Sequence, residues 1–282
     1  MKTKEKKVCS NNPKPFLKWV GGKRQLLPEI HKRFPVKFNK YFELFVGGGA
    51  VLFSLENGKI EKHINDYNEE LINTYLTIKN DVNSLIRSLS RHKNTPEHYY
   101  MTREKDRKSN YNKLTNVQRA SRFIYLNKTG YNGLYRVNAK GEANTPFGRY
   151  ANPKILDKEN LLKCSEFLQN VSISCGDFYD CLDMIKENDF VYLDPPYDPV
   201  SKTANFSSYT KNGFNDDMQK KLKNFCDEVN NKNAYFLLSN SCTPFIVDLY
   251  SSYKIDEVRA SRAINCKGNG RGKVSEVLVR NY

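Results

Sequence analysis

The sequence has 282 residues, 39% of them hydrophobic, which is enough for one large domain or two modest ones. Its apolar runs, such as Phe190 to Leu193 and Tyr235 to Leu238, are short; a membrane helix needs roughly 20 residues, and no apolar leader follows the charged start, so the expectation is a soluble, cytoplasmic protein. Lys and Arg number 46 against 31 Asp and Glu, a formal charge of +15, which points to a polyanionic partner, although charge kept for solubility alone would look the same.

The seven cysteines (Cys9, Cys164, Cys175, Cys181, Cys226, Cys242 and Cys266) are odd in number and form no C-x-x-C. The four histidines show no metal-ligand spacing. Neither a disulfide framework nor a metal site is expected, and the thiols read as reduced. The run Lys2 to Lys7 reads as a solvated tail.

The first segment of interest is Phe16-Leu17-Lys18-Trp19-Val20-Gly21-Gly22-Lys23, which holds the only tryptophan. An aromatic face and a lysine beside paired glycines suit a sulfonium cation and a carboxylate. A hydrophobic N-terminal anchor fits as well. Next, Tyr41 to Val46 reads as a strand ending in Gly47-Gly48-Gly49, and Ala50 to Glu56 as a helix stopped at Gly58. Such glycines allow a tight turn and close approach of a nucleotide-like ligand. Asp66 ends a second predicted strand, nineteen positions after Gly47, where a carboxylate can accept hydrogen bonds from a ribose. Position 52 is Leu, so G-x-G-x-x-G is not met and a nicotinamide enzyme is disfavoured. A tight turn without a ligand remains the alternative.

From Asn68 the spacing is helical. Leu71, Ile72, Tyr75 and Ile78 share one face, and Val82, Leu85, Ile86 and Leu89 continue on a second helix after Asn80-Asp81. Thr115 and Gln118 form a capping box ahead of Phe123 and Leu126. Tyr131-Asn132-Gly133-Leu134-Tyr135-Arg136 and Pro146-Phe147-Gly148-Arg149-Tyr150 flank a turn at Ala139-Lys140-Gly141, a predicted hairpin. Interleaved aromatic, Asn and Arg residues suit DNA groove contacts and base stacking; an aromatic-rich hairpin core is equally compatible.

Strand–helix alternation then resumes. Val171 to Ser174 ends at Gly176-Asp177, and Phe190 to Leu193 ends at Asp194-Pro195-Pro196-Tyr197. Met218, Leu222, Phe225 and Val229 have helical spacing, Ala234 to Leu238 ends at Ser239-Asn240, and Pro244 starts a helix. Lys254 to Arg259 and Val274 to Val279 read as an antiparallel closing pair. The fold class is therefore α/β, interrupted by a mostly helical basic insert. Catalytic segments 1–68 and 163–282 would flank a recognition segment, 69–162, with its hairpin near 131–150. Open α/β sheets bind ligands outside the carboxyl ends of their strands.

Asp-Pro-Pro-Tyr at such a strand end suits one particular chemistry. An exocyclic aromatic amine is a poor nucleophile because its lone pair is delocalised into the ring. Two acceptors aimed at its hydrogens favour a more tetrahedral nitrogen. The Asp194 carboxylate and the Pro195 carbonyl can be those acceptors, proline fixing the backbone, while Tyr197 stacks on the base. A Pro-rich turn after a strand is the bland alternative.

Taken in order, F-x-K-W-x-G-G-K, F-V-G-G-G, the insert and D-P-P-Y resemble the Dam family of DNA adenine-N6 methyltransferases over all but about the first dozen residues. The segments Y-N-G-L-Y-R-V-N and P-F-G-R-Y are most similar to its GATC-modifying members of the DpnM type, found in restriction systems. The resemblance implies a Rossmann-like methyltransferase sheet with an antiparallel final strand and S-adenosylmethionine as cofactor. It implies cofactor contacts at Trp19, Lys23, Phe45, Gly47, Gly49, Asp66, Asp177, Phe178 and Asp194. Asp66 would hold the ribose, and Asp177 and Phe178 the cofactor's adenine. Asp194, Pro195, Pro196 and Tyr197 would form the catalytic site. Lys18, Leu134, Arg136 and Pro146 would read double-stranded DNA, with Tyr131 and Asn132 supporting the opened duplex. No metal is implied, and a cognate restriction endonuclease is a possible partner. RNA adenine or another planar amine is the rival substrate, and a DNA-binding protein with a vestigial fold the rival class.

Overall fold

The computed structural model describes residues 12–199, 214–261 and 273–282. Lys2 to Lys7, Cys9 and Cys266 lie outside the described residues. The strands are β1 (Lys40–Glu43), β2 (Glu61–Asp66), β3 (Val171–Cys175), β4 (Phe190–Leu193), β5 (Tyr235–Ser241), β6 (Lys254–Ser261) and β7 (Lys273–Arg280). They form one sheet in the order β3-β2-β1-β4-β5-β7-β6. The first five run parallel to one another. β7 is antiparallel to both β5 and β6, as expected of the closing pair.

Both faces of the sheet are covered, which is why the strands read as short apolar runs rather than as alternating ones. Side chains still alternate between the two faces. Tyr41, Tyr192, Leu237 and Leu278 enter one core, and Phe42, Val191, Leu238 and Val279 the other. The first face is packed by α2 (Glu69–Leu89), α4 (Asn116–Thr129) and α5 (Lys158–Leu168) through Tyr75, Phe123 and Phe167. Two shorter helices, α1 (Leu27–His31) and α3 (Pro96–Arg103), contribute Ile30 and Tyr99 to it. The second face is packed by α6 (Asp216–Asn231) and α7 (Pro244–Leu249) through Phe225, Val229 and Ile246. Each such apolar side chain, fully buried, contributes about 1.5–3 kcal/mol.

Local signals act as their chemistry dictates. The Thr115 and Gln118 capping box is formed at α4. The break at Asn80-Asp81 is a kink inside α2, at Asp81 (φ −147°, ψ 50°), whose carboxylate accepts from Ser84 N at 3.3 Å. The helix expected over Ala50 to Glu56 is not formed; only a 3₁₀ turn, Leu52–Ser54, is present. Val51, Leu52, Phe53 and Leu55 are all buried, whereas a surface helix would place some of four such close neighbours in solvent.

The segment after α4 folds back on itself. Bridges Gly130↔Phe147 and Val137↔Ala143 are antiparallel, and Gly141 (φ +83°) closes the turn by donating to the Asn138 carbonyl at 2.9 Å. A buried ion pair anchors it. Arg122 of α4 lies 2.6 Å from Asp106, which also accepts from Ala143 N at 2.7 Å. No helix among the described residues is long and apolar enough to cross a membrane.

Candidate active site

Strand order reverses between β1 and β4, so a crevice opens at their carboxyl ends. Gly47 and Gly49 follow β1, Asp66 ends β2, Asp177 follows β3 and Asp194 follows β4. Gly47 and Gly49 have φ of +47° and +71°, which favour glycine. Their missing side chains also make room for packing. A Cβ on Gly47 would meet the Trp19 indole nitrogen at 2.6 Å, and one on Gly49 the Tyr75 hydroxyl at 2.6 Å. Tyr75 Oη donates to the Gly47 carbonyl at 3.0 Å. Gly47 thus seats Trp19 against the loop and Gly49 seats Tyr75, a reason beyond the ligand approach that the sequence suggests.

The Asp66 carboxylate braces the same loop. One oxygen accepts from Gly47 N and the other from Asn68 N, both at 3.0 Å. Burial raises its pKa, and these backbone donors oppose the rise. Tyr67 N is a third backbone donor to this carboxylate, so of its roughly four lone pairs one is left to accept from a ribose hydroxyl. Phe45 and Phe178 lie with ring centroids 5.3 Å apart. Asp177 caps the 3₁₀ turn Phe178–Met184 by accepting from Tyr179 N at 2.9 Å, and it pairs with Lys221 of α6 at 2.7 Å. Acidic and aromatic residues at adjoining strand ends fit a nucleoside-bearing cofactor.

The Asp194 cluster is tighter. Lys23 Nζ lies 2.7 Å from Asp194 Oδ1, 2.8 Å from the Gly21 carbonyl and 4.6 Å above the Tyr197 ring. Lys23 is only 5% exposed and Asp194 21%. Loss of water pushes the Asp194 pKa up to about 6, with the Lys23 charge opposing the rise and Glu276 adding to it. Glu43 of β1 is buried, and the absence of water pushes its carboxyl up to about 8; the Tyr41 hydroxyl, donating at 2.8 Å, opposes this and the Asp194 charge adds to it. Burial thus raises both carboxyls, and Glu43 further than Asp194, which keeps the Lys23 ammonium beside it.

The turn after Asp194 is held from several sides. Gln219 of α6 donates to the Pro196 carbonyl at 3.2 Å. Asp198 accepts from Ser241 at its carbonyl (2.7 Å) and from Thr243 at its carboxylate (2.6 Å), and its amide donates to Asn240 Oδ1 at 3.2 Å. Tyr197 Oη donates to Glu276 of β7 at 2.7 Å. Burial raises the Tyr197 pKa well above the ordinary range, with the Asp194 and Glu276 charges adding to the rise.

Two segments expected to face DNA, at Lys18 and at residues 131–136, meet at Asn127 of α4. Its side chain accepts from Lys18 N at 2.9 Å and donates to the carbonyls of Lys18 (2.8 Å) and Gly133 (2.9 Å). Gly133 (φ +65°) admits the Lys18 stem, which a Cβ there would meet at 2.4 Å. Lys18 Nζ lies over the Tyr150 ring at 4.8 Å. Tyr131 N donates to the Pro146 carbonyl at 2.9 Å, and the Tyr131 side chain is exposed. Asn132 takes φ +56°. Leu134 is half-buried, and Arg136 and Pro146 are exposed. Tyr135, between them, packs inward against Phe123 with centroids 4.3 Å apart. Buried positions thus alternate with half-buried or exposed ones over residues 133–136.

Sequence reasoning missed Glu43, Asn127, Lys221 and Glu276. Glu43 is a lone acid in an apolar strand, which is a readable signal; the other three acquire partners only through the fold.

Residues 19–264 match the model of the D12 class N6 adenine-specific DNA methyltransferase family. The chain is 43% identical over 275 residues to the Type II methyltransferase M1.LlaDCHI of Lactococcus lactis subsp. cremoris, covering 96% of each chain. It is 46% identical over 287 residues to the Type II methyltransferase M.MjaIII of Methanocaldococcus jannaschii, covering 95% of this chain and 99% of that one. The DNA adenine methylase of Escherichia coli strain K12 is 35% identical over 268 residues, with 94% of each chain covered. With this sheet and these strand-end acids, the chain belongs to the D12 class of N6 adenine-specific DNA methyltransferases.

Proposed function

We propose that the chain methylates N6 of the adenine in GATC, in duplex DNA, after flipping that base out of the helix. The observation that carries this reading is Asp194, at the carboxyl end of β4 and 2.7 Å from Lys23, followed by Tyr197 on a proline-fixed turn at the crevice. S-adenosylmethionine, the methyl donor of this enzyme family, supplies a methyl group already activated by its sulfonium. Trp19, Lys23, Phe45, Gly47, Gly49, Asp66, Asp177, Phe178 and Asp194 would hold it.

A stacked adenine cannot present its amine to a half-buried carboxylate set in the crevice, so the base must leave the duplex. Asp194 accepts a hydrogen bond from the amine, and the Pro195 carbonyl accepts the second. The Pro196 carbonyl is already engaged by Gln219. Pro195 and Pro196 fix the direction of both acceptors, and the Tyr197 ring covers the face of the base. Asp194 stands where the surplus proton of the amine appears.

Segment 69–162 carries recognition in this reading, and 1–68 with 163–282 carries catalysis. Lys18, Leu134, Arg136 and Pro146 read the site, with Tyr131 and Asn132 at the gap left by the flipped base. The formal charge of +15 supports sequence-independent capture of DNA before the site is found. A restriction endonuclease cutting the same site is the partner this reading expects.

The test is methyl transfer from labelled S-adenosylmethionine to duplexes carrying GATC or one replaced position. Label should enter the intact site alone and be recovered as N6-methyladenine. Equal labelling of every duplex would contradict GATC, and preferential labelling of RNA would contradict a DNA substrate.

A further inference from the structure

Tyr197 is constrained at its ring face by the Lys23 ammonium, 4.6 Å from the centroid, and at its hydroxyl by Glu276, 2.7 Å away. We propose that Glu276 is a positioning residue: by accepting the Tyr197 hydroxyl it fixes the direction in which the ring that stacks on the target base extends from the backbone. This rests on the reading of Tyr197 as the base-stacking residue.

Rotation about the Cα–Cβ bond of a tyrosine swings both the ring plane and the hydroxyl. Rotation of the ring about its own axis leaves the hydroxyl in place. Tying down the hydroxyl therefore fixes the first rotation, which decides where the stacking face lies. Hydrogen bonds to an ionised acceptor are short and roughly twice as strong as neutral ones.

The topology explains how a residue of the last strand reaches the site. β7 runs antiparallel to β5, and Glu276 pairs in register with Ser241 at the carboxyl end of β5. The beginning of β7 thus lies on the same edge of the sheet as the ends of the parallel strands. Ser241 itself holds the carbonyl of Asp198, the residue after Tyr197. Glu276 and Ser241 are paired supports of one turn. The Glu276 charge also opposes ionisation of Asp194, so its presence does not serve that carboxylate, and its direct contact is with Tyr197.

The test uses the full chain, S-adenosylmethionine and a duplex with 2-aminopurine at the target position. Single-turnover methyl transfer is measured on the matching adenine duplex, and cofactor affinity by calorimetry. Glu276→Ala and Tyr197→Phe should each slow transfer by about tenfold. Both should brighten 2-aminopurine as its stack loosens, with cofactor affinity held within about twofold. The double variant should fall no further than either single one, because both remove the same contact. Glu276→Gln keeps an acceptor oxygen and should restore the rate to within about threefold of wild type. Wild-type transfer by folded Glu276→Ala, losses that multiply in the double variant, or a Glu276→Gln as slow as the alanine variant would each overturn the positioning role. If Glu276→Ala does not fold, Glu276→Gln and Tyr197→Phe carry the comparison by themselves. Tyr197→Ala separates the two readings: full activity would overturn base stacking itself. A slow Tyr197→Ala beside a fast Glu276→Ala would overturn the positioning role alone.

Discussion

Replacing Lys23 by Met removes the positive charge 2.7 Å from Asp194 while keeping most of the apolar stem. That charge lowers the Asp194 pKa, which burial has raised from 3.8 to about 6. An opposite charge this close shifts a carboxyl by about 1–3 units. Without it, the half-point of Asp194 should move to roughly 7–9. At pH 7 the ionised fraction would fall from about nine-tenths to about one-tenth for a half-point of 8. The pH dependence of kcat/KM reports groups of the free enzyme, so the acidic limb should lie near 6 in wild type and move upward in Lys23→Met. Activity at pH 7 should drop about tenfold and return toward pH 9. Lys23 is also an expected cofactor contact, but losing that contact would lower kcat/KM by the same factor at every pH. A limb that stays near 6 in the variant, or is absent from wild type, would refute the pairing of Lys23 with an ionisable Asp194.

Asp66→Ala should weaken S-adenosylmethionine binding more than DNA binding, by about 1.5–3 kcal/mol for each lost hydrogen bond to the carboxylate; calorimetry showing unchanged cofactor affinity would remove the ribose role. Glu43, whose pKa is raised from 4.5 to about 8, binds its proton more tightly in the folded state. Its contribution is full below pH 4.5 and lost as pH rises through 8, a span of at most about 5 kcal/mol. Urea titrations of Glu43→Gln should therefore show a smaller fall in stability from pH 5 to pH 8 than wild type, and parallel curves would count against a buried, protonated Glu43. Arg136→Ala should cost about 1–3 kcal/mol on GATC and much less on a site already altered at the guanine it reads; a uniform loss over all sequences would reduce Arg136 to a phosphate contact.

Much of the catalytic edge is legible because polar residues abruptly end apolar runs. Asp66 after His63 to Asn65, Asp177 after Val171 to Ser174, and Asp194 after Phe190 to Leu193 all sit where a covered strand leaves the core. The spacing of Leu71, Ile72, Tyr75 and Ile78 marks the buried face of α2 just as directly. Glu276 is not legible in this way. It stands 79 residues from Tyr197, and only the reversal of β7 brings the two together. Lys221 lies on α6, where a lysine among Lys220 and Lys223 reads as solvent-facing until Asp177 is placed beside it. The Ala50 to Glu56 helix fails because burial of four close apolar residues overrides helical periodicity. α5 runs from Lys158 to Leu168 across the limit expected at residue 162, with Leu161 and Phe167 both in the core, a continuity that the sequence does not show.

In the proposed reaction Asp194 orients the adenine amine for transfer. The decisive measurement is single-turnover methylation of a GATC duplex by Asp194→Ala, with product identified as N6-methyladenine and folding followed by circular dichroism. Methyl transfer should fall by about a hundredfold or more while the fold and DNA binding persist. Near-wild-type transfer by the folded variant would contradict it.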